Sequence, residues 1–257
     1  MSRPPLPEPV ATLAAQLAEL DGAVGVVLGG SRATGTERLD SDWDLGVYYR
    51  GSQHPLDPEE VRALGHPGHV SELGEWGPIM DGRAWLTLED THVDVVFRDL
   101  DAVEGWLAEA ERGRFDVLVQ NGYVVGAPTY VPVGELAINR PLSGELPRPG
   151  YPEPLAATAA ARWRGRAGVS LMFAEIHAAA VDAACCAGML TDAVLSTGHA
   201  RLAERREWVV NEKRLVERAG LDAVQPALGA PGITSAELAA AVKAVADVLG
   251  VEPLRAR

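Results

Sequence analysis

The sequence predicts an α+β protein in which a mixed sheet with helices is followed by a helical bundle. In the first part of the chain, short apolar runs typical of strands alternate with helical patterns. Past residue 155, Ala, Leu, Arg and Glu dominate, and apolar residues recur at helical spacing. The proline-rich stretch 141–154 separates the two parts, because proline lacks a backbone N–H and interrupts helices and central strands. We therefore expect one domain over residues 1–145 and a helical domain over residues 146–257.

In the first part of the chain, helix patterns alternate with strand patterns. Residues 9–20 carry apolar side chains at helical spacing, which predicts a helix. The apolar run 23–28 ends in two glycines and predicts a buried strand, and 42–50 predicts a second strand because aromatic and β-branched residues are enriched there. The same patterns predict a hairpin of strands over 83–88 and 92–97, and helices over 58–65, 101–112, 155–190, 200–219 and 235–249.

Charge and composition exclude several classes of protein. The chain of 257 residues has a formal net charge of −13. Residues 155–257 hold 12 basic and 11 acidic groups, so residues 1–154 hold 11 and 25, a net charge of −14. A protein that grips nucleic-acid phosphates needs a basic face, so a nucleic-acid partner is disfavoured.

Localisation follows from three further features. No apolar run approaches the roughly 18–20 residues that a membrane span requires, and the N-terminus lacks the apolar core of a secretory signal. Cys185 and Cys186 are adjacent, which disfavours a disulfide between them and predicts reduced, buried thiols. We expect a cytoplasmic protein and exclude membrane, disulfide-scaffold and structural-zinc classes.

One stretch carries a pattern of chemical groups. Gly30 and Ser31 follow the first strand, and after a ten-residue gap Asp42 and Asp44 flank a tryptophan. In a strand the two carboxylates would project from one face, where a divalent cation such as Mg²⁺ relieves their repulsion. A glycine-lined turn with a hydroxyl supplies the N–H groups of an anion site. Asp94 lies in a later apolar strand and is the third candidate carboxylate, because a lone acid among valines needs a partner or an ion.

This pattern resembles the nucleotidyltransferase superfamily typified by DNA polymerase β. It is most similar to the bacterial small-molecule and antibiotic enzymes of the kanamycin type, whose sheet domain is followed by a helical domain. The resemblance implies that Asp42, Asp44 and Asp94 are catalytic and bind metal. It also implies that Ser31 and the Gly30–Ser31 backbone hold the β- and γ-phosphates.

The implied reaction transfers a nucleoside monophosphate, by default AMP from ATP, to a hydroxyl of a small-molecule acceptor and releases pyrophosphate. Two Mg²⁺ ions would stabilise the entering and leaving oxygens. Arg32 and Lys213 are candidate cations for the triphosphate, and Lys213 is predicted to lie on a C-terminal helix. For Arg32 the alternative is a solvated loop arginine, and for Lys213 it is a surface ion pair with Glu217.

Two other functions remain open. The domain could bind a nucleotide as a regulatory relative without turnover, although three intact carboxylates favour catalysis. The acceptor could instead be a protein side chain or a tRNA end. The acidic first part would repel RNA and attract a cationic aminoglycoside-like antibiotic, which makes antibiotic resistance one implied role.

Overall fold

The computed structural model describes residues 5–38 and 41–254. The chain divides into two compact units. The sheet unit comprises the residues up to Glu109 together with Thr129–Gly150, and the helical unit comprises Ala110–Pro128 together with the residues from Tyr151 onward. The predicted α+β class, a mixed sheet followed by helices, is confirmed. The functional boundary after residue 145 stays a prediction.

The sheet unit is built on a six-stranded sheet in the order β3-β4-β5-β2-β1-β8. Its strands are β1 (Ala23–Leu28), β2 (Trp43–Tyr49), β3 (Gly68–Val70), β4 (Gly82–Leu88), β5 (Thr91–Asp99) and β8 (Arg140–Ser143). Its helices are α1 (Glu8–Ala18), α2 (Gly30–Thr34), α3 (Pro58–Ala63), α4 (Leu100–Glu111) and α5 (Val131–Ile138). The predicted helices near the N-terminus and the predicted hairpin are confirmed, whereas α5, β3 and β8 were not predicted.

The two faces of this sheet differ in polarity. Strands β2 and β5 pair in parallel, and every other pair in the sheet is antiparallel. Leu45, Val95 and Ala84 share one face and pack with Leu13 and Leu17 of α1 in the core. Because side chains alternate along a strand, the residues between them project from the opposite face. That opposite face carries the candidate carboxylates of β2 and β5.

The proline-rich stretch is only partly a linker. Its start lies in β8, which pairs with β1 through the Val27–Pro141 register. An edge strand accepts proline because one side of the strand needs no ladder donor. The division between the two units falls later in the stretch, between Gly150 and Tyr151.

The helical unit contains the longest helices. Its helices are α6 (Glu153–Ala179), α7 (Ala183–Glu204), α8 (Leu215–Arg218), α9 (Gln225–Gly229) and α10 (Ser235–Leu249), and it also holds a 3-10 helix (Asp222–Val224) and the short strands β6 (Val117–Leu118) and β7 (Ala127–Pro128). Leu171, Leu190, Leu238 and Val245 lie in its core. Within residues 5–38 and 41–254, none of the helices combines the length and apolarity that crossing a membrane requires.

Two helix predictions in this unit were wrong. The predicted helix 155–190 is interrupted by a turn at 180–182, where Asp182 caps the next helix through a bond from the Cys185 N–H. The predicted helix 200–219 ends at Glu204, and a loop precedes α8. Helical composition extends through both breaks, so the apolar spacing alone did not reveal them.

Candidate active site

The parallel pairing of β2 and β5 brings two of the predicted carboxylates together. Asp44 is the direct register partner of Asp94, so the two side chains project from the same face of the sheet on adjacent strands. Both residues are half-buried. Neighbouring strands lie about 4.8 Å apart, which is close enough for two carboxylates to share a cation.

The glycine turn closes onto one of these carboxylates. The Gly29 N–H donates to the Asp44 carbonyl at 2.8 Å. Gly30 has a φ of +60°, and a Cβ atom built there would overlap the Asp44 carboxylate. Only glycine combines this backbone conformation with so close an approach. Ser31 follows in the first turn of α2 and is half-buried, so the predicted phosphate-binding turn lies directly beside Asp44.

Asp42 lies outside the strand in which it was predicted. Strand β2 begins at Trp43, and Asp42 is exposed in the segment before it. The Arg32 Nε donates to the Asp42 carbonyl at 3.1 Å, and the guanidinium lies 4.0 Å from the centre of the Trp43 ring. A second bond joins Arg32 to the Ser41 carbonyl. These contacts make Arg32 a positioning residue for the Asp42 segment, and its phosphate contact stays a prediction.

Lys213 is not on a helix, so that prediction was wrong. It is exposed in the loop between α7 and α8, where its backbone N–H donates to Asn211 Oδ1 at 3.0 Å. The ion pair with Glu217 is made by Arg214 at 2.6 Å. The role of Lys213 as a phosphate-binding cation stays a prediction.

Aromatic side chains extend the carboxylate face toward the sheet edge. Trp85 of β4 is the register partner of Asp94 on the side away from Asp44. The His69 ring stacks on Trp85 at 5.8 Å, and Trp76 meets it edge-on at 5.3 Å. We name Trp85, Trp76 and His69 the aromatic surface. Trp85 alternates with buried residues along β4, and the fold brings Trp76 and His69 against it.

A buried ion pair supports the carboxylate strand farther along. Arg98 lies four residues after Asp94 on β5 and is 1% exposed. It makes two hydrogen bonds with Glu135 of α5, at 2.7 and 3.1 Å, and donates to the Met80 carbonyl at 2.8 Å. Burial alone would lower the pKa of Arg98, but the charge of Glu135 and its hydrogen bonds raise it overall. Sequence reasoning missed this pair because its members are far apart in the chain.

A second buried contact fixes the loop before β4. The Tyr49 hydroxyl donates to Asp81 Oδ2 at 2.6 Å. Burial, the hydrogen bond and the charge of Asp81 raise the pKa of Tyr49, so this hydroxyl keeps its proton. Burial also raises the pKa of Asp81. Asp81 adopts a φ of +48°, which is uncommon outside glycine. The contact ties the loop that carries Trp76 to β2.

Comparison with protein families supports the predicted superfamily. Residues 10–99 match the family model described as a nucleotidyltransferase domain. The matched segment runs from α1 through β5 and contains Gly30, Ser31, Asp42, Asp44 and Asp94. This match supports a transferase of nucleotidyl groups as the class of the protein. A comparison with curated proteins gave no match.

Proposed function

We propose that this protein is a Mg²⁺-dependent nucleotidyltransferase that moves a nucleoside monophosphate, AMP from ATP by default, onto a hydroxyl of a small molecule. The observation that carries the proposal is the in-register pair Asp44 and Asp94 with the glycine turn closed onto Asp44. A phosphate site beside paired carboxylates is what nucleotidyl transfer requires. We assign this chemistry to residues 1–145 and a helical domain to residues 146–257.

The residues present fit magnesium. Carboxylate oxygens are the ligands that Mg²⁺ prefers, and Asp42, Asp44 and Asp94 are all exposed or half-buried. Because Gly30 has no side chain, the backbone of the turn can lie directly against the Asp44 carboxylate. Asp42, Asp44 and Asp94 would hold two ions. Bound magnesium would stabilise charge on the phosphoryl oxygens and on the leaving pyrophosphate.

The other residues would bind and orient the nucleotide. The Gly30–Ser31 backbone and the Ser31 hydroxyl would donate to the β- and γ-phosphates. Arg32 would hold the Asp42 segment in place through the Asp42 carbonyl. Lys213 is retained as a proposed cation for the phosphates. Asp94 would accept the proton that the acceptor hydroxyl loses, because it is the carboxylate next to the aromatic surface.

The aromatic surface supports a small-molecule acceptor. Trp85 lies next to Asp94 in register, so an acceptor packed against the aromatic surface would present a hydroxyl toward the carboxylates. The net charge of −14 on residues 1–154 would attract a cationic acceptor. An aminoglycoside-like antibiotic combines sugar rings, hydroxyls and positive charge, and we propose kanamycin-type chemistry on this ground. The same charge disfavours an RNA acceptor, and the two free thiols support the proposed cytoplasmic location.

The test is label transfer from α-labelled ATP, GTP, CTP and UTP with Mg²⁺ and a panel of aminoglycosides and other hydroxyl compounds. We expect a labelled acceptor and free pyrophosphate with at least one combination of nucleotide and acceptor, and no transfer after magnesium is removed. Nucleotide that raises the melting temperature without transfer to any acceptor, protein or tRNA would indicate a regulatory relative instead. Absence of both transfer and thermal shift would contradict the proposal.

A further inference from the structure

A second group of ligand-type side chains lies in the helical unit, at the turn between α6 and α7. His177 is in the last turn of α6, Asp182 is the N-cap of α7, and Cys185 is in the first turn of α7. One potential ligand atom from each of the three lies within 4.8 Å of the others. From the sequence we excluded a structural zinc site, but the histidine and aspartate approach Cys185 only where the two helices reverse direction.

The turn that brings them together is tight and strained. The Asp182 N–H donates to the His177 carbonyl at 2.9 Å, and the Val181 N–H donates to the Ala178 carbonyl at 3.2 Å. Val181 has a φ of +58°. A β-branched residue rarely adopts this conformation, which glycine normally occupies at the end of a helix. The hydrogen bonds hold the turn closed against that strain and keep the three side chains at one end of the helical hairpin.

The distance between the histidine and aspartate ligand atoms matches that around a small tetrahedral ion. His177 Nδ1 and Asp182 Oδ2 are 3.7 Å apart, and the Cys185 sulfur lies within 4.8 Å of the ligand atoms of both residues. Zinc binds nitrogen, oxygen and sulfur at roughly 2.0–2.3 Å, so two ligands of one tetrahedral ion lie about 3.3–3.7 Å apart. The other Asp182 oxygen, Oδ1, accepts from the Cys185 N–H at 3.1 Å. The capping bond and a metal ligand can therefore use different oxygens of the same carboxylate.

The donor set distinguishes this group from the carboxylate site. Imidazole nitrogen and thiolate sulfur favour zinc-class cations, whereas magnesium favours oxygen ligands. The side chains of His177 and Asp182 are 28% and 44% exposed, and Cys185 is exposed, so an ion can enter without unfolding. Cys186 is buried in the helical core as predicted and is not part of the group, whereas the prediction that Cys185 is buried was wrong.

We propose that His177 Nδ1, Asp182 Oδ2 and Cys185 Sγ form a binding site for one Zn²⁺-class ion, with a fourth position open to water or an external ligand. The ion would join the end of α6 to the start of α7 and stabilise the helical hairpin. On binding, the Cys185 thiol would lose its proton to solvent and the sulfur would bond to the metal. This site is independent of the nucleotidyl transfer proposed for the sheet unit.

The test uses the full chain without an affinity tag, after treatment with a chelator. Zinc is titrated against a chromophoric chelator, and cobalt is used as a spectroscopic substitute. We expect one equivalent of tightly bound ion, a thiolate-to-cobalt charge-transfer absorption, and a higher melting temperature with zinc. Cys185→Ser should abolish the charge-transfer absorption and weaken zinc binding at least about 100-fold, because even outer-shell changes cost roughly 10–100-fold.

Two further variants separate binding from structure. Asp182→Asn keeps a good N-cap but loses the anionic ligand, so it should fold normally and bind zinc weakly. Cys186→Ala is the matched cysteine control and should bind zinc and cobalt as the wild type does. A wild-type protein without the charge-transfer absorption, or zinc affinity unchanged in both Cys185→Ser and Asp182→Asn, would overturn the proposal.

Discussion

Arg98 in the sheet unit and His199 in the helical unit are each 1% exposed, but among the described residues only the arginine forms an ion pair. Arg98 pairs with Glu135 and donates to a backbone carbonyl. The His199 ring stacks on Trp163 at 4.4 Å, and neither ring nitrogen finds a hydrogen-bond partner among the described residues. The sheet unit therefore buries a charge with its counter-charge, whereas the helical unit buries a neutral ring.

The difference follows from how each unit positions its side chains. In the sheet, pairing registers place residues of distant segments at defined spacings, so opposite charges and a carboxylate pair can be matched. In the helical hairpin, packing decides the surroundings of His199. Burial, followed by the positive charges of Arg166 and Arg218, lowers the pKa of His199 to about 3. The ring is therefore neutral at pH 7.

We expect the largest effect from a change in the carboxylate pair of the sheet, if that pair is catalytic. Asp44→Asn removes a charge at the site without changing its size, so we expect nucleotidyl transfer to fall by at least about a thousandfold. The free energy of unfolding of Asp44→Asn, measured with urea, should be close to that of the wild type. The control is Asp90→Asn in the exposed turn after β4, which should transfer as the wild type does. Wild-type transfer by Asp44→Asn would refute the assignment.

The next largest effect is expected when the ion pair of Arg98 and Glu135 in the sheet unit is broken. Arg98→Met leaves Glu135, whose side chain is 24% exposed, without its counter-charge and should lower the free energy of unfolding by up to about 3–5 kcal/mol. Urea denaturation measures this value. Adding Glu135→Gln removes the stranded charge and should restore part of the loss. If the loss of stability in the double variant equals the sum of the losses in Arg98→Met and Glu135→Gln, the two residues are not coupled.

Two glycines with positive φ allow the cost of backbone strain to be measured separately from the effect of crowding the Asp44 carboxylate. Gly30 and Gly65 both have positive φ values, +60° and +77°, but a Cβ at Gly65 would meet open space. Each change to alanine should cost about 1–2 kcal/mol of stability. Gly30→Ala should in addition lower transfer up to about 100-fold, because it displaces the Asp44 carboxylate. Equal transfer by the two variants would show that the close approach has no catalytic role.

The smallest effect concerns the neutral ring of the helical unit. Below its unfolded pKa of about 6.5, His199 takes up a proton when the chain unfolds but not in the folded state. Its contribution to stability is therefore complete above pH 6.5 and is lost as the pH falls toward 3, at up to about 1.4 kcal/mol per pH unit. His199→Leu should flatten this part of the pH profile of urea midpoints. A slope unchanged by the variant would contradict a neutral buried ring.

Much of the fold was predictable because it depends on local patterns. Short apolar runs located β1, β4 and β5, and helical spacing located α1 and α10, since buried strands and helices with one buried face leave their pattern in the sequence itself. The spacing of Ser31 and Asp44 also indicated nucleotidyl transfer, a class that the family match supports. Local patterns failed where a break leaves the composition unchanged, as in the loop that carries Lys213.

The sequence by itself determined which residues can form strands, helices and a carboxylate pair. Only the tertiary structure decided that Asp44 and Asp94 are register partners, that Trp85 lies beside them, and that Arg98 meets Glu135. The same holds for His177, Asp182 and Cys185. Their approach depends on the positive φ of Val181, which the composition of the sequence does not predict. Local periodicity follows from the neighbours of each residue, whereas strand pairing and helix reversal depend on contacts between segments that are distant in the chain.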